Sequence, residues 1–233
     1  MMFDPTHDST TDHPYRAVAP VHAFDPEHTR VPYDGQTRMR LTISSGLAHA
    51  RIVVDPAAHD LVAVECGDGP RPRIRVAAGE LALRWRVSLG DWLRDVLTAG
   101  RDDVAIVLHP AVEWTIAIRG GLADLECDLS AGAVARIDIA GGCSHVRFDL
   151  PLPTAVVPIR ISGGASHVAV RRPAEAGVRV GVDGGLATFR LDDRGFDAIG
   201  GAVRLDAGNV AGDAPHYTLS ISGGASDLAI ERR

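Results

Sequence analysis

The sequence predicts an all-β fold, built as a single-stranded β-solenoid of about 21-residue rungs with one short helix. Two observations predict it: a repeated strand, glycine pair and strand, and an alternation of apolar and polar residues on both sides of the pair. The 233 residues, 45% hydrophobic and 23% charged, can bury a sizeable core. This composition excludes collagen-like, transmembrane and globally disordered chains.

The repeat is clearest between residues 111 and 233. Its second glycine falls at positions 121, 142, 164 and 185, which are 21, 22 and 21 residues apart, and a further copy, TLSISGGASDLAIER, begins at Thr218. An isolated first copy, RLTISSGLAHARIVV, begins at Arg40. The predicted structural corners are the glycine pairs Gly120, Gly121, Gly141, Gly142, Gly163, Gly164, Gly184, Gly185, Gly223 and Gly224.

Each copy turns one face of both its strands inward. In the copy around Gly121, the residues two and four places before the glycine pair are apolar, and so are the first, fourth and sixth places after it. Charged residues occupy most of the places between. Glycine at the corner fits a backbone that needs a positive φ or a close approach to the copies above and below it.

A single copy cannot cover its own apolar face, but copies stacked about 4.8 Å apart enclose a continuous core, which favours the solenoid. The alternative is a β-sandwich of consecutive hairpins, because a glycine pair between alternating strands is also a hairpin signal. The two differ in one pairing. A solenoid places Ile139 beside Ile118 and Ile161, whereas a hairpin places it beside Cys143.

The chain divides into three segments. Residues 1–36 have no periodicity and predict a flexible amino-terminal arm. Residues 37–110 predict an irregular β region with a short helix at 88–100, which covers an end or side of the solenoid or docks a partner through Trp92. Residues 111–233 are the regular repeats, with a shortened or bulged rung at 194–213, and residues 37–233 form one continuous domain.

One place in the repeat is polar in every copy, the third after the glycine pair. Stacking would align these side chains as one outward column. A metal site is disfavoured, because side chains about 4.8 Å apart would have to lean together to bring their donor atoms about 2.1 Å from one ion. The column is then either a solvated ladder or a contact surface. Together with Trp92, the binding-surface candidates are His49, Asp124, His145, His167, Thr188 and Asp227.

No catalytic constellation appears in the sequence. There is no P-loop, no GxGxxG after a strand and no HExxH, so we expect no cofactor and no metal. Ser144 and His145 are strand neighbours and are expected to point to opposite faces, which opposes a nucleophile and base pair. These observations favour a binding protein over an enzyme.

Charge and cysteine content bear on partners and location. A net charge of −6 argues against nucleic acid, and no apolar stretch approaches the roughly 18 residues of a membrane span. Three cysteines without a CxxC pair, Cys66, Cys127 and Cys143, and a start without a basic and then apolar region predict a cytoplasmic protein with reduced thiols. Cys127 and Cys143 occupy apolar places and are expected to pack as small hydrophobic residues.

The phrase I-x-I-x-GG, followed by Ala, Leu or Cys, resembles bacterial proteins of the putative-adhesin, toast-rack type, and more weakly bactofilin-like solenoids. The resemblance implies stacked β-strands and names no catalytic residue. The leading hypothesis is a non-enzymatic scaffold or protein-binding module. The alternatives are a polysaccharide-binding or polysaccharide-active solenoid and a chain that self-associates through its final strand, LSISGGASDLAIERR.

Overall fold

The computed structural model describes residues 30–66, 72–84 and 104–233, and in these ranges the fold is all-β, with two mixed sheets and no helix. Strands are numbered along the chain. The ten-stranded sheet contains, in spatial order, β1 (Arg30–Pro32), β4 (Asp60–Cys66), β7 (Val104–Leu108), β3 (Leu47–Val54), β9 (Leu122–Asp128), β11 (Cys143–Asp149), β13 (Ala165–Arg172), β19 (Ala225–Arg232), β15 (Leu186–Leu191) and β16 (Arg194–Phe196). The nine-stranded sheet contains β17 (Val203–Ala207), β14 (Gly177–Val182), β18 (His216–Ile221), β12 (Val156–Ile161), β10 (Ala133–Ala140), β8 (Glu113–Arg119), β2 (Arg38–Ile43), β6 (Glu80–Arg84) and β5 (Arg73–Ala77).

Every copy of the repeat contributes one strand to each sheet. The strand before the glycine pair lies in the nine-stranded sheet and the strand after it in the ten-stranded sheet, so the pair is the corner between the sheets. Neighbouring copies pair in parallel and in register. Ile139 lies beside Ile118 and Ile161, and Cys143 lies beside Leu122 and Ala165.

The core consists of like side chains in rows across the copies. One row of the nine-stranded sheet contains residues that are each at most 1% exposed: Leu41, Ile116, Ile137, Ile159, Leu219 and Val180. Burying one such side chain contributes about 1.5–3 kcal/mol, so the row is a large part of the driving force. Cys127 and Cys143 are buried in the same core, and none of the three cysteines forms a disulfide.

Antiparallel strands close the outer edges of the parallel arrays. β1 pairs with β4 and β5 with β6, while β16 pairs with β15 and β17 with β14. The stretch 194–213, expected as a shortened rung, forms two of these capping strands instead. The boundary predicted for the arm, at residue 36, is wrong. Arg30–Pro32 form strand β1, and Val31 of this strand is buried.

The last copy does not stand at the end of the array. β18 lies between β12 and β14, and β19 lies between β13 and β15. The expectation that the final strand presents a free edge is therefore wrong, because both of its edges are already paired. The helix expected at 88–100, with Trp92, lies outside the described residues.

Candidate functional site

The polar residues in the third place after the corner form one continuous column on the outer face of the ten-stranded sheet. Their order follows the strands β3, β9, β11, β13, β19 and β15. The side chains of the histidine and aspartate members are each 47% to 60% exposed. The column contains, in spatial order, His49, Asp124, His145, His167, Asp227 and Thr188.

The backbone explains why this place faces outward. All six residues have a positive φ, between 48° and 58°. A left-handed residue inserts one extra outward side chain into the strand, so the inward places run first, fourth and sixth and not first, third and fifth. Ser144 and His145 therefore both lie on the outer side, and the expectation that they point to opposite faces is wrong. Among residues other than glycine, Asp and His tolerate this conformation well, whereas the β-branched Thr188 does not. Local geometry therefore contributes to the choice of residue types.

Neighbouring side chains in the column contact one another. Asp124 lies between two histidines, with its oxygens 3.5 Å from Nδ1 of His49 and 3.9 Å from Nδ1 of His145. The rings of His145 and His167 stack at a centroid distance of 4.6 Å with 7° between their planes. Nε2 of His167 is 3.1 Å from Oδ2 of Asp227. The column is thus a ladder of mutual contacts along five strands.

Charged side chains of both signs continue the pattern on the same face. Arg51 lies 3.8 Å from Glu126, and Arg147 and Arg171 lie 3.3 Å and 3.5 Å from Asp149. Ion pairs this exposed contribute about 0–1 kcal/mol each, so they add little to stability. They produce a surface of mixed charge.

A shallow groove runs along the corners beside the column. Its floor is formed by Cys143, Ala165 and Ala225, which are smaller than the leucines Leu122 and Leu186 in the same row. Ser166, Ser226 and Ile199 belong to its lining. The groove is open, its lining contains no charged residue, and burial raises the pKa of the Cys143 thiol, which disfavours the thiolate.

Neither metal chemistry nor sugar stacking gains support from this geometry. In the three described ranges, no group of three or more His, Cys, Asp or Glu side chains is arranged to hold a metal ion. Of the described aromatic residues, Trp114 and Tyr217 are fully buried and the ring of Tyr33 stacks on His109. Trp92 lies outside the described residues, so its predicted role stays a prediction.

The first glycine of each pair is required by close approach. A Cβ on Gly141 would lie 2.4 Å from the carbonyl oxygen of Gly120, and a Cβ on Gly163 would lie 2.6 Å from backbone atoms of the copy below. The second glycines have more room, since a Cβ on Gly142 or Gly164 would come no closer than 3.4 Å to its nearest neighbour. The predicted reason, backbone contact between corners, applies to the first glycine of the pair.

Comparison with known proteins adds one structural likeness. No protein-family model matches the sequence, and no curated protein matches it. A crystal structure of a putative cell adhesion protein from Clostridium sporogenes is similar, with a TM-score of 0.57 and 16% sequence identity. The match covers 88% of this chain and 97% of that chain. At this identity the likeness shows the fold alone. In the described part of the chain, no helix is long and apolar enough to cross a membrane.

Proposed function

We propose that the chain is a β-solenoid that serves as a non-enzymatic scaffold, and that the polar column is the surface on which it binds a protein partner. The parallel, in-register pairing of copies supports the solenoid, because each corner moves the chain from one sheet to the other. The two strands of a copy, such as β10 and β11, lie in different sheets and do not form a hairpin.

One observation carries the binding role: half-exposed polar groups repeat at strand spacing along five strands of one face. Such a face can match a partner through many weak, directional contacts whose charges complement its own. Mixed charge fits a protein surface better than a nucleic-acid backbone, which requires a uniformly basic face. The similar structure belongs to a putative cell adhesion protein, which is consistent with a role in contact between proteins. Placement in the cytoplasm stays a prediction.

The test is a site-specific photo-crosslink. A photoreactive phenylalanine at position 145 reports on the column, and the same residue at exposed position 160, on the outer face of the nine-stranded sheet, is the matched control. In extract of the source organism we expect a discrete crosslinked protein from position 145 and none from position 160. The band should disappear when Asp124 and His167 are replaced by alanine. Equal labelling from both positions, or none from position 145, would contradict the proposal.

A further inference from the structure

The last copy of the repeat is inserted between two copies that are adjacent in the sequence. Strands β12 and β13 belong to one neighbour and β14 and β15 to the other, and only residues 173–176 connect them. Residues 216–233 lie between these neighbours, with β18 and β19 paired in parallel on both sides. After β13 the chain leaves a gap of one copy and forms the outer copy, β14 and β15, and its caps, β16 and β17. It then returns, and residues 216–233 fill the gap.

Without residues 216–233, a gap as wide as one copy would separate the two neighbouring copies. The edges of β12 and β13 on one side, and of β14 and β15 on the other, would have no partner. Residues 216–233 pair in parallel with all four of these strands, and a second molecule could supply the same segment in the same register. Residues 208–215 lead into the segment and include Gly208 and Gly212 at positive φ, which suits a hinge.

An ion pair closes over the end of the inserted copy. Arg172, at the end of β13, is 1% exposed, and one of its nitrogens lies 2.9 Å and 2.7 Å from the two oxygens of Asp192, which follows β15. Arg172 also donates to the carbonyl of Ala176 in the connection, at 2.5 Å. Arg232 of β19 pairs in register with Arg172 and lies 3.5 Å from Asp192. The pair of Arg172 and Asp192 thus joins the two neighbours around the last copy.

We propose that this last copy is exchangeable, and that two molecules of this chain associate by swapping residues 216–233. Residues 208–215 connect the segment to the capping strand β17. Each molecule would recover the same contacts from its partner, which is the condition for domain swapping. In the swapped pair, the contact between His167 and Asp227 joins two chains, so each polar column is built from both. This inference does not depend on the proposed partner-binding role.

Two variants that each carry one added cysteine test the exchange. Ala169 and Ala229 are in-register partners on β13 and β19, and both are half-buried. Ala169→Cys and Ala229→Cys proteins are mixed in denaturant with reductant, refolded together and then oxidised, and the products are separated on a non-reducing gel. We expect a covalent heterodimer whose yield rises with protein concentration during refolding. Asp192→Asn should make the same heterodimer form several-fold faster when folded proteins are mixed without denaturant.

A matched pair measures accidental crosslinking. Glu126→Cys and Arg147→Cys are in-register partners on β9 and β11, which the exchange leaves within one molecule, so their mixture should give only the wild-type background. The double variant Ala169→Cys/Ala229→Cys should form an intramolecular disulfide in the monomer, which verifies that the cysteines report the pairing. Equal heterodimer yields from the two mixtures at every concentration would overturn the proposal. So would failure of the double variant to form its internal disulfide.

Discussion

At the scale of single residues, different physical constraints limit the residue types of the polar column and of the glycine corners. The left-handed conformation falls on the polar residue and not on most of the second glycines, so the column residues bear a backbone cost. The first glycines instead allow close contact between neighbouring backbones. The positive φ of the column position therefore limits which residue types can occupy it, before any binding role is considered.

Replacement of a first corner glycine should destabilise the protein. Gly163→Ala would bring a Cβ within 2.6 Å of backbone atoms of Gly141 and Gly142, so we expect a loss of about 1–3 kcal/mol in the free energy of unfolding, measured by urea denaturation. The control is Gly195→Ala, where a Cβ would meet no atom within 4 Å and φ is not positive. Equal effects of the two substitutions would show that corner contact is not the constraint.

Thr188 is the column member least suited to its backbone, because a β-branched residue at a φ of 58° is strained. Thr188→Asn should raise the free energy of unfolding by about 0.5–1 kcal/mol, since Asn adopts the left-handed conformation readily. Thermal and urea denaturation measure the change. Thr218→Asn, at an extended position of β18, is the control and should be neutral or destabilising. A loss of stability from Thr188→Asn would mean that Thr188 makes a contact that outweighs its strain.

At the scale of elements, parallel rows of like side chains set how strongly each copy depends on its neighbours. Phe148 of β11 is 1% exposed and lies in register between Cys127 and Val170. Its ring fills space that the smaller side chains of these two partners leave. Loss of a side chain from one strand therefore also removes packing contacts from the strands on both sides of it.

Phe148→Ala should cost about 3–5 kcal/mol of unfolding free energy, because it leaves a cavity that the rigid rows cannot close. Phe148→Leu, which keeps most of the volume, should cost clearly less. Denaturation curves followed by circular dichroism compare the two variants. A cost below about 1 kcal/mol for the alanine variant would indicate that the rows rearrange freely around this place.

At the scale of the whole molecule, burial keeps titratable groups neutral and links stability to alkaline pH. Burial raises the pKa of the Cys143 thiol to about 11 and also raises the pKa of the Cys127 thiol and of Tyr217. Each group loses its proton more easily in the unfolded chain. Its contribution to stability is therefore complete below its unfolded pKa and is lost as the pH rises through its folded pKa.

The free energy of unfolding should be nearly level from pH 7 to 8.5 and fall from about pH 9 upwards, the ordinary pKa of a thiol being 9.0. Cys143→Ala should reduce that slope by about 1.4 kcal/mol per pH unit, the value for one proton, between pH 9 and 11. Alanine already fills the corresponding places, 165 and 225, so the variant should fold. An unchanged slope would show that the thiol titrates alike in both states.

Much of the local structure could be predicted from the sequence. The apolar places two and four residues before the glycine pair predicted the buried rows, and the polar third place predicted the outward column. After the glycine pair, the apolar places are the first, fourth and sixth, whereas plain alternation would make them the first, third and fifth. This difference already indicated an irregular backbone at the third place. The antiparallel caps could not be predicted, because short strands such as Arg194–Phe196 carry too few alternating residues to reveal a period.

By itself, the sequence determined the all-β class, the parallel copies' inward faces and the members of the column, because these depend on local alternation and on glycine spacing. Only the tertiary structure decided the order of the copies. The last copy lies between its two predecessors, and nothing in the repeat distinguishes that place from the end, since all copies carry nearly the same edges. The contacts that distinguish the place are long-range: Arg172 and Asp192 pair across the last copy, and the caps pair with the strands on its outer side.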